Sequence, residues 1–411
     1  MVVPAAALLL AACAGCSRAS DDAEEAEKGR KTLRESDISK LQSIPYLAHS
    51  PTRESKERQQ LVNVVLHDEE RAWEGYNLYA SRTTNEVYLL DMEGNVVHRW
   101  TSPQDRARYV EYATFCTNGD LLVINLLKNI ARIDLDSRII WKFKERMHHD
   151  VSLLEDGSAY AVMQDIEQYR GLRVGFPAII HLSPEGEILE KWPLYDHLDE
   201  VRSKFNLRQI QGVVPTNDLD TVEERTPKQK KMTYDPFHQN TATILPPTVT
   251  GEKDERFRAG NILVCYREID QIAVFDPEKE EFVWVWGDGE LDKPHYPVML
   301  DSGTILIFDN GTARKYSRVI ELDPLTEKIV WEYVADPKED FFTNTGASAQ
   351  RLPNGNTLIT ETRKGRVFEV TPGGQIVWEW YHPEFEDEKR SLIYRMIRYP
   401  SDFIESFLPA K

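Results

Sequence analysis

The chain has 411 residues, 41% of them hydrophobic and 29% charged, with 50 Lys and Arg against 68 Asp and Glu for a formal charge of -18. That balance suits a globular protein with a full-sized core. It argues against a nucleic-acid surface, since neutralising phosphates needs an excess of Lys and Arg over Asp and Glu, so any cationic site has to be local.

Residues 1–16, MVVPAAALLLAACAGC, form a short apolar run ending in small residues and cysteine. Such a run predicts a secretory segment and is too short to span a membrane. Leu10-Ala11-Ala12-Cys13 resembles a bacterial lipoprotein box, in which cleavage leaves the cysteine as the lipidated N-terminus. The expectation is export to the cell envelope, periplasm or outer membrane, with membrane contact only through a lipid on Cys13. Residues 17–60 are rich in charged residues and Ser and poor in aromatics, which predicts a flexible tether. Beyond it only Cys116 and Cys265 remain, either as one disulfide or as two buried thiols.

From residue 61 to residue 390 one motif recurs: a strand, a Gly turn, two apolar strands, an Asp-type turn, and a strand ending in Trp. The closing segments are YLLDMEGNVVHRW, ARIDLDSRIIWKF, IHLSPEGEILEKW, AVFDPEKEEFVWVW, VIELDPLTEKIVWEY and FEVTPGGQIVWEWY. Their anchors Asp91, Asp134, Ser183, Asp276, Asp323 and Thr371 are separated by 43, 49, 93, 47 and 48 residues. Four short strands per period of this length predict an all-β fold, a six-bladed β-propeller, and period-2 alternation excludes a helical solenoid. The recurring Trp100, Trp141, Trp192, Trp284, Trp331 and Trp378 are assigned to packing between blades.

The double-length gap holds one polar insertion, about residues 195–234, expected to form a lid or wall on one face. The final segment, residues 391–411, has apolar spacing that predicts a helix before Pro400 packed on the disc. For its Arg395 and Arg398 the readings are an approach to the channel mouth or, the plainer one, solvated surface charges.

The innermost strand of each blade lines the channel, so equivalent positions point at one axis. Counting eight residues back from the turn glycines Gly119, Gly157, Gly303 and Gly355 gives Glu111, His149, His295 and Ala347. Aligning Leu245 with Leu154 and Leu300 adds Asn240, with His238 two residues earlier on the same face. His148 is expected to point away from His149. Arg267, near the end of the second strand of the fourth blade, stands close to the same mouth. A guanidinium among imidazoles makes a site for a tetrahedral oxyanion. The plainer reading of Arg267 is an ion pair with Glu268 or Asp270.

At this point the residues resemble the bacterial arylsulfate sulfotransferase family, whose members move sulfate between phenols without a nucleotide donor. The resemblance rests on GYNLYASRTTNEVYLLDMEGNVVHRW, HHDVSLLEDG around His149, DPFHQNTATIL around His238 and Asn240, CYREIDQIAVFD around Arg267, and HYPVMLDSGTILIFDNG around His295. It implies His295 as the nucleophile that forms a transient sulfohistidine, with His149, His238, Asn240 and Arg267 holding the oxygens of the sulfuryl group. Glu111 is assigned to the substrate-binding wall. The chain departs from the family pattern at Pro294, where a Gln is usual, and in the long insertion.

The implied partners are a small aryl sulfate and a phenol, with no cofactor. A rival reading has His149, His238 and His295 bind a divalent metal for lyase or hydrolase chemistry, with Glu111 as a further ligand. A second rival is a non-catalytic envelope lipoprotein that binds or assembles through its rim.

Overall fold

The computed structural model describes residues 56–102, 109–214 and 232–408. Cys13, the signal segment and most of the tether lie outside the described residues, as does the middle of the insertion.

The short β-branched strands form six small antiparallel sheets, the blades of a propeller. The inner strands are Ile393–Tyr399 in blade 1, Val110–Phe115 in blade 2, Met147–Leu153 in blade 3, Gln239–Ile244 in blade 4, Pro294–Met299 in blade 5 and Ser348–Arg351 in blade 6. Successive inner strands touch around the ring, and that of blade 6 touches that of blade 1.

Both ends of the chain close the ring. Ile393–Tyr399 pairs with Tyr76–Ser81, Tyr399 opposite Tyr76, and becomes the innermost strand of blade 1. Asn63–His67 adds to Ile376–Tyr381 as the outermost strand of blade 6. The helix expected before Pro400 is therefore corrected to a strand. Ile393, Tyr394, Arg395 and Met396 are all buried, and a strand covered on both faces loses the alternation that would identify it. The short helix Ser401–Glu405 follows, and Phe403 and Phe407 of this tail pack on Phe115 of blade 2.

The tryptophans separate into two sets. Trp141, Trp331 and Trp378 each donate Nε1–H to a carbonyl in the last turn of the following blade, at Pro184, Pro372 and Met92. Trp284 reaches the same turn of its neighbour through Glu327. By strand register the equivalent residue in blade 1 is His98, whose Nε2 contacts the Leu135 carbonyl at 2.9 Å. Trp100 and Trp192 lie two residues farther along their strands and act through burial. Trp378→Phe removes a buried bond at the joint between blades 6 and 1 together with part of a fully buried ring. It is expected to cost about 2 kcal/mol, read as a lowered midpoint in chemical denaturation.

The described part of the insertion packs beside blades 3 and 4. The helix Leu198–Lys204 and the following Phe205, Leu207, Ile210 and Val214 share a core with Trp192, Tyr266, Phe275 and Phe282. Gln209 accepts from Lys293 Nζ at 2.9 Å, which brings the insertion to the mouth that carries Arg267. Cys116 and Cys265 are free and buried, in blades 2 and 4.

Candidate functional site

In blades 1 to 5 the pairing between the first two strands slips at the same height, beside Tyr394, Glu111, His149, Asn240 and Tyr296. His149, His238 and Tyr296 have left-handed backbone there, with φ of 63°, 47° and 46°. A bulge re-aims side chains that strict alternation would bury between blades. It also overturns one expectation: His148 does not point away from His149. The two rings meet edge to face at 4.9 Å, and burial pushes His148 down to about 3.

His295 is 2% exposed, and its protonation is legible from its partners. Its Nδ1 lies 2.6 Å from Oδ1 of Asn310 and 3.2 Å from the Lys293 carbonyl. Asn310 donates Nδ2 to the carbonyls of Thr343 and Gly346, at 2.7 and 3.0 Å, so the oxygen faces the ring. Two acceptors place the hydrogen on Nδ1 and leave the lone pair on Nε2. Burial, reinforced by the charge of Arg267, holds His295 well below the ordinary histidine range. The result is a neutral, oriented imidazole with an open nitrogen. Asn310→Ala frees the tautomer and is expected to lower kcat by about 10- to 100-fold. A purely structural loss would leave the pH profile in place, so the check is a profile whose acid limb changes with kcat.

His149 and His238 form a second unit. Their Nε2 atoms are 3.1 Å apart, and both residues are 2% exposed. On the outer side Asp235 lies 2.7 Å from Nδ1 of His238, and Glu111 lies 3.1 Å from Nδ1 of His149. Although burial works against both carboxyls, His149 keeps Glu111 below its ordinary value and His238 does the same for Asp235. A carboxylate only accepts, so Nδ1 of His238 carries a hydrogen; Nδ1 of His149 faces Glu111 at ion-pair distance without hydrogen-bond geometry. Two inner nitrogens in contact are complementary only with a proton between them; the carboxylates favour that proton, while burial pushes His149 below the ordinary histidine range and opposes it.

Arg267 is 9% exposed; it pairs with Glu268, donates to the Asn344 carbonyl at 3.1 Å, and keeps Nε buried without a partner. The ion pair expected as its plainer reading exists, but under cover and beside the channel. Two expected wall residues have other employment. Asn240 donates to the Pro294 carbonyl at 2.9 Å and accepts from Thr241, which ties blade 4 to the strand bearing His295. Glu111 accepts the His149 amide at 2.9 Å as well as facing its ring, so it positions His149.

Arg395 and Arg398 are buried, correcting their reading as surface charges. Arg395 crosses the channel: it donates to Asp150 of blade 3 at 2.7 Å, and its guanidinium lies 4.2 Å over Tyr112 of blade 2 and 3.5 Å over Tyr296 of blade 5. Arg398 pairs with Glu369 and donates to Asn77.

Sequence reading missed Asn310, Asp235 and Tyr394. Asn310 stands seven residues after Gly303, the same count that leads from Gly260 to Arg267, so that count would have found it. Asp235 lies three residues before His238, within a segment already singled out. Tyr394 stacks on His149 at 5.5 Å but sits in a strand with no turn glycine following it, because its partner strand in blade 1, Tyr76–Ser81, lies far earlier in the sequence.

A family model described as arylsulfotransferase (ASST) matches residues 122–383. No curated protein sequence matches the chain. Among solved structures, a protein of unknown function from Bacteroides caccae is similar at 16% identity and TM-score 0.52, over 79% of this chain and 99% of that one. Virginiamycin B lyase from Staphylococcus aureus is similar at 10% identity and TM-score 0.41, over 82% of this chain and 90% of that one. At these identities the likeness bears on the fold alone.

Proposed function

Because the chain belongs to the arylsulfotransferase family, we propose that it moves a sulfuryl group from an aryl sulfate to a phenol through a sulfohistidine at His295. The observation that carries this reading is the neutral His295 ring, held by Asn310 with Nε2 open beside Arg267 and near the contacting His149 and His238.

The steps follow from these groups. The Nε2 lone pair attacks sulfur, an N–S bond forms, and the S–O bond to the ring breaks with its electrons on the leaving oxygen. The loose transition state spreads negative charge over that oxygen and the sulfuryl oxygens, which Arg267 stabilises. The proton shared by His149 and His238 passes to the phenolate. In the second half an acceptor phenol returns its proton to the pair and attacks sulfur, and the N–S bond breaks. Splitting the transfer this way gives ping-pong turnover.

No cofactor enters this scheme. Among the described residues no three His, Cys, Asp or Glu side chains are grouped to hold one metal ion. Export and lipidation at Cys13 complete the reading and rest on the N-terminal sequence.

The test is incubation of the purified protein with a chromogenic aryl sulfate and a phenol. Acceptor-dependent phenol release that survives a chelator is the expected result. Loss of activity to the chelator would move the assignment to a metal at His149, His238 and His295.

A further inference from the structure

The position seven residues after the turn glycine is occupied in each blade by Arg82, Leu126, Gln164, Arg267, Asn310 and Thr362, counted from Gly75, Gly119, Gly157, Gly260, Gly303 and Gly355. Two of the six serve the site already described: Arg267 clamps and Asn310 orients His295. Arg82 follows the second strand of blade 1, Tyr76–Ser81, as Arg267 follows the second strand of blade 4, Ile262–Tyr266. In a ring of six, blades 1 and 4 face each other across the channel.

Arg82 is 7% exposed, and among the described residues it lies within ion-pair distance of no carboxylate, unlike the buried Arg267, Arg395 and Arg398. Its Nη2 donates to the Tyr109 hydroxyl at 2.6 Å, its guanidinium lies 4.4 Å over that ring, and Nη1 is buried with no partner. It faces the site: its centre is 6.0 Å from the Tyr394 ring that stacks on His149, and its charge acts on Glu111. No hydrogen bond joins it to Glu111, whose Oε2 accepts the His149 amide and whose Oε1 faces the His149 ring at 3.1 Å. A guanidinium built into a dry wall with an open donor calls for an anion from outside the chain.

We infer that Arg82 is a second anion-binding group of the active site, and that the site takes aryl sulfates whose ring carries a further acidic group, a carboxylate or a second sulfate. The sulfuryl group lies on the Arg267 side, and the ring spans the channel towards Arg82. Tyr109 and Tyr394 offer it aromatic faces. This rests on the sulfotransferase reading for the donor but not for the anion site itself.

The test compares binding of 4-sulfooxybenzoate and phenyl sulfate by calorimetry, with phenol release from both donors measured separately. The protein is expected to bind the carboxylate-bearing donor about tenfold or more tightly, in line with one charge-assisted fork. In Arg82→Gln that ratio falls to near one, whereas Arg267→Gln weakens both donors. Arg82→Lys keeps the charge without the fork and is expected to keep only part of the preference, which covers the case in which the Gln variant fails to fold. Equal affinities in the unmodified protein, or an unchanged ratio in Arg82→Gln or Arg82→Lys, would overturn the assignment. Discrimination through Arg82 without release of phenol from either donor would support Arg82 and contradict sulfuryl transfer.

Discussion

His295→Ala is expected to lower kcat by about 10,000-fold or more while aryl sulfate still binds, because the step it removes is the covalent one and Arg267 remains. The effect is large because neither His149 nor His238 offers an open nitrogen in its place. His149 and His238 turn their inner nitrogens to each other and their outer ones to carboxylates. The pH dependence has a fixed sign. Protonation would disable His295, and burial with the nearby Arg267 charge lowers its pKa well below the ordinary histidine value. Activity with a good leaving group is therefore expected to persist as pH falls through the usual histidine range, and to fail only below it. An acid limb at the ordinary value in a kcat/KM profile would contradict the assignment.

Asp235→Asn tests the proposed role of His149 and His238 as the proton donor to the leaving phenolate. The substitution keeps an acceptor near His238 Nδ1 but removes the negative charge that balances the extra proton. For donors with poor leaving groups kcat is expected to fall by about 100- to 1000-fold, within the range of general acid catalysis. A nitrophenyl donor, whose phenolate leaves unassisted, should lose far less. The pair should also release its proton more readily, so the alkaline limb moves to lower pH. Equal losses for all leaving groups would assign Asp235 to structure alone. Glu111→Gln acts on the other ring and is expected to shift the same limb in the same direction.

The blade count, the inner strands of blades 2 to 6 and three of the histidines were legible because the repeat is local: a turn glycine fixes the strand before it, and eight residues is short enough for the register to hold. What was not legible depends on contacts far apart in sequence. Blade 1 closes with Ile393–Tyr399, more than 300 residues from its partner strand, and its two-sided burial erased the alternation that marks a strand. The orientation of His148 was missed because alternation fails at a bulge, and the left-handed backbone at His149 is invisible in composition. Tryptophans that looked equivalent proved to occupy two registers, since Trp100 and Trp192 stand nine residues after their turn anchors Asp91 and Ser183, whereas Trp141 and Trp378 stand seven after Asp134 and Thr371. Register placed Asn240 and Glu111 on inner strands beside the histidines, but register says where a side chain begins and not which partner captures it. Their hydrogen bonds go to the strand of His295 and to His149.

The central claim is that His295 carries the sulfuryl group between donor and acceptor. The most direct measurement is intact mass of the protein mixed with an aryl sulfate in the absence of acceptor, followed by fragmentation to locate the added group. One sulfuryl group on the peptide bearing His295, discharged when a phenol is added and absent from His295→Ala, is the predicted result. Acceptor-dependent transfer with no sulfuryl group on the protein at any time, or with the group on another residue, would contradict it.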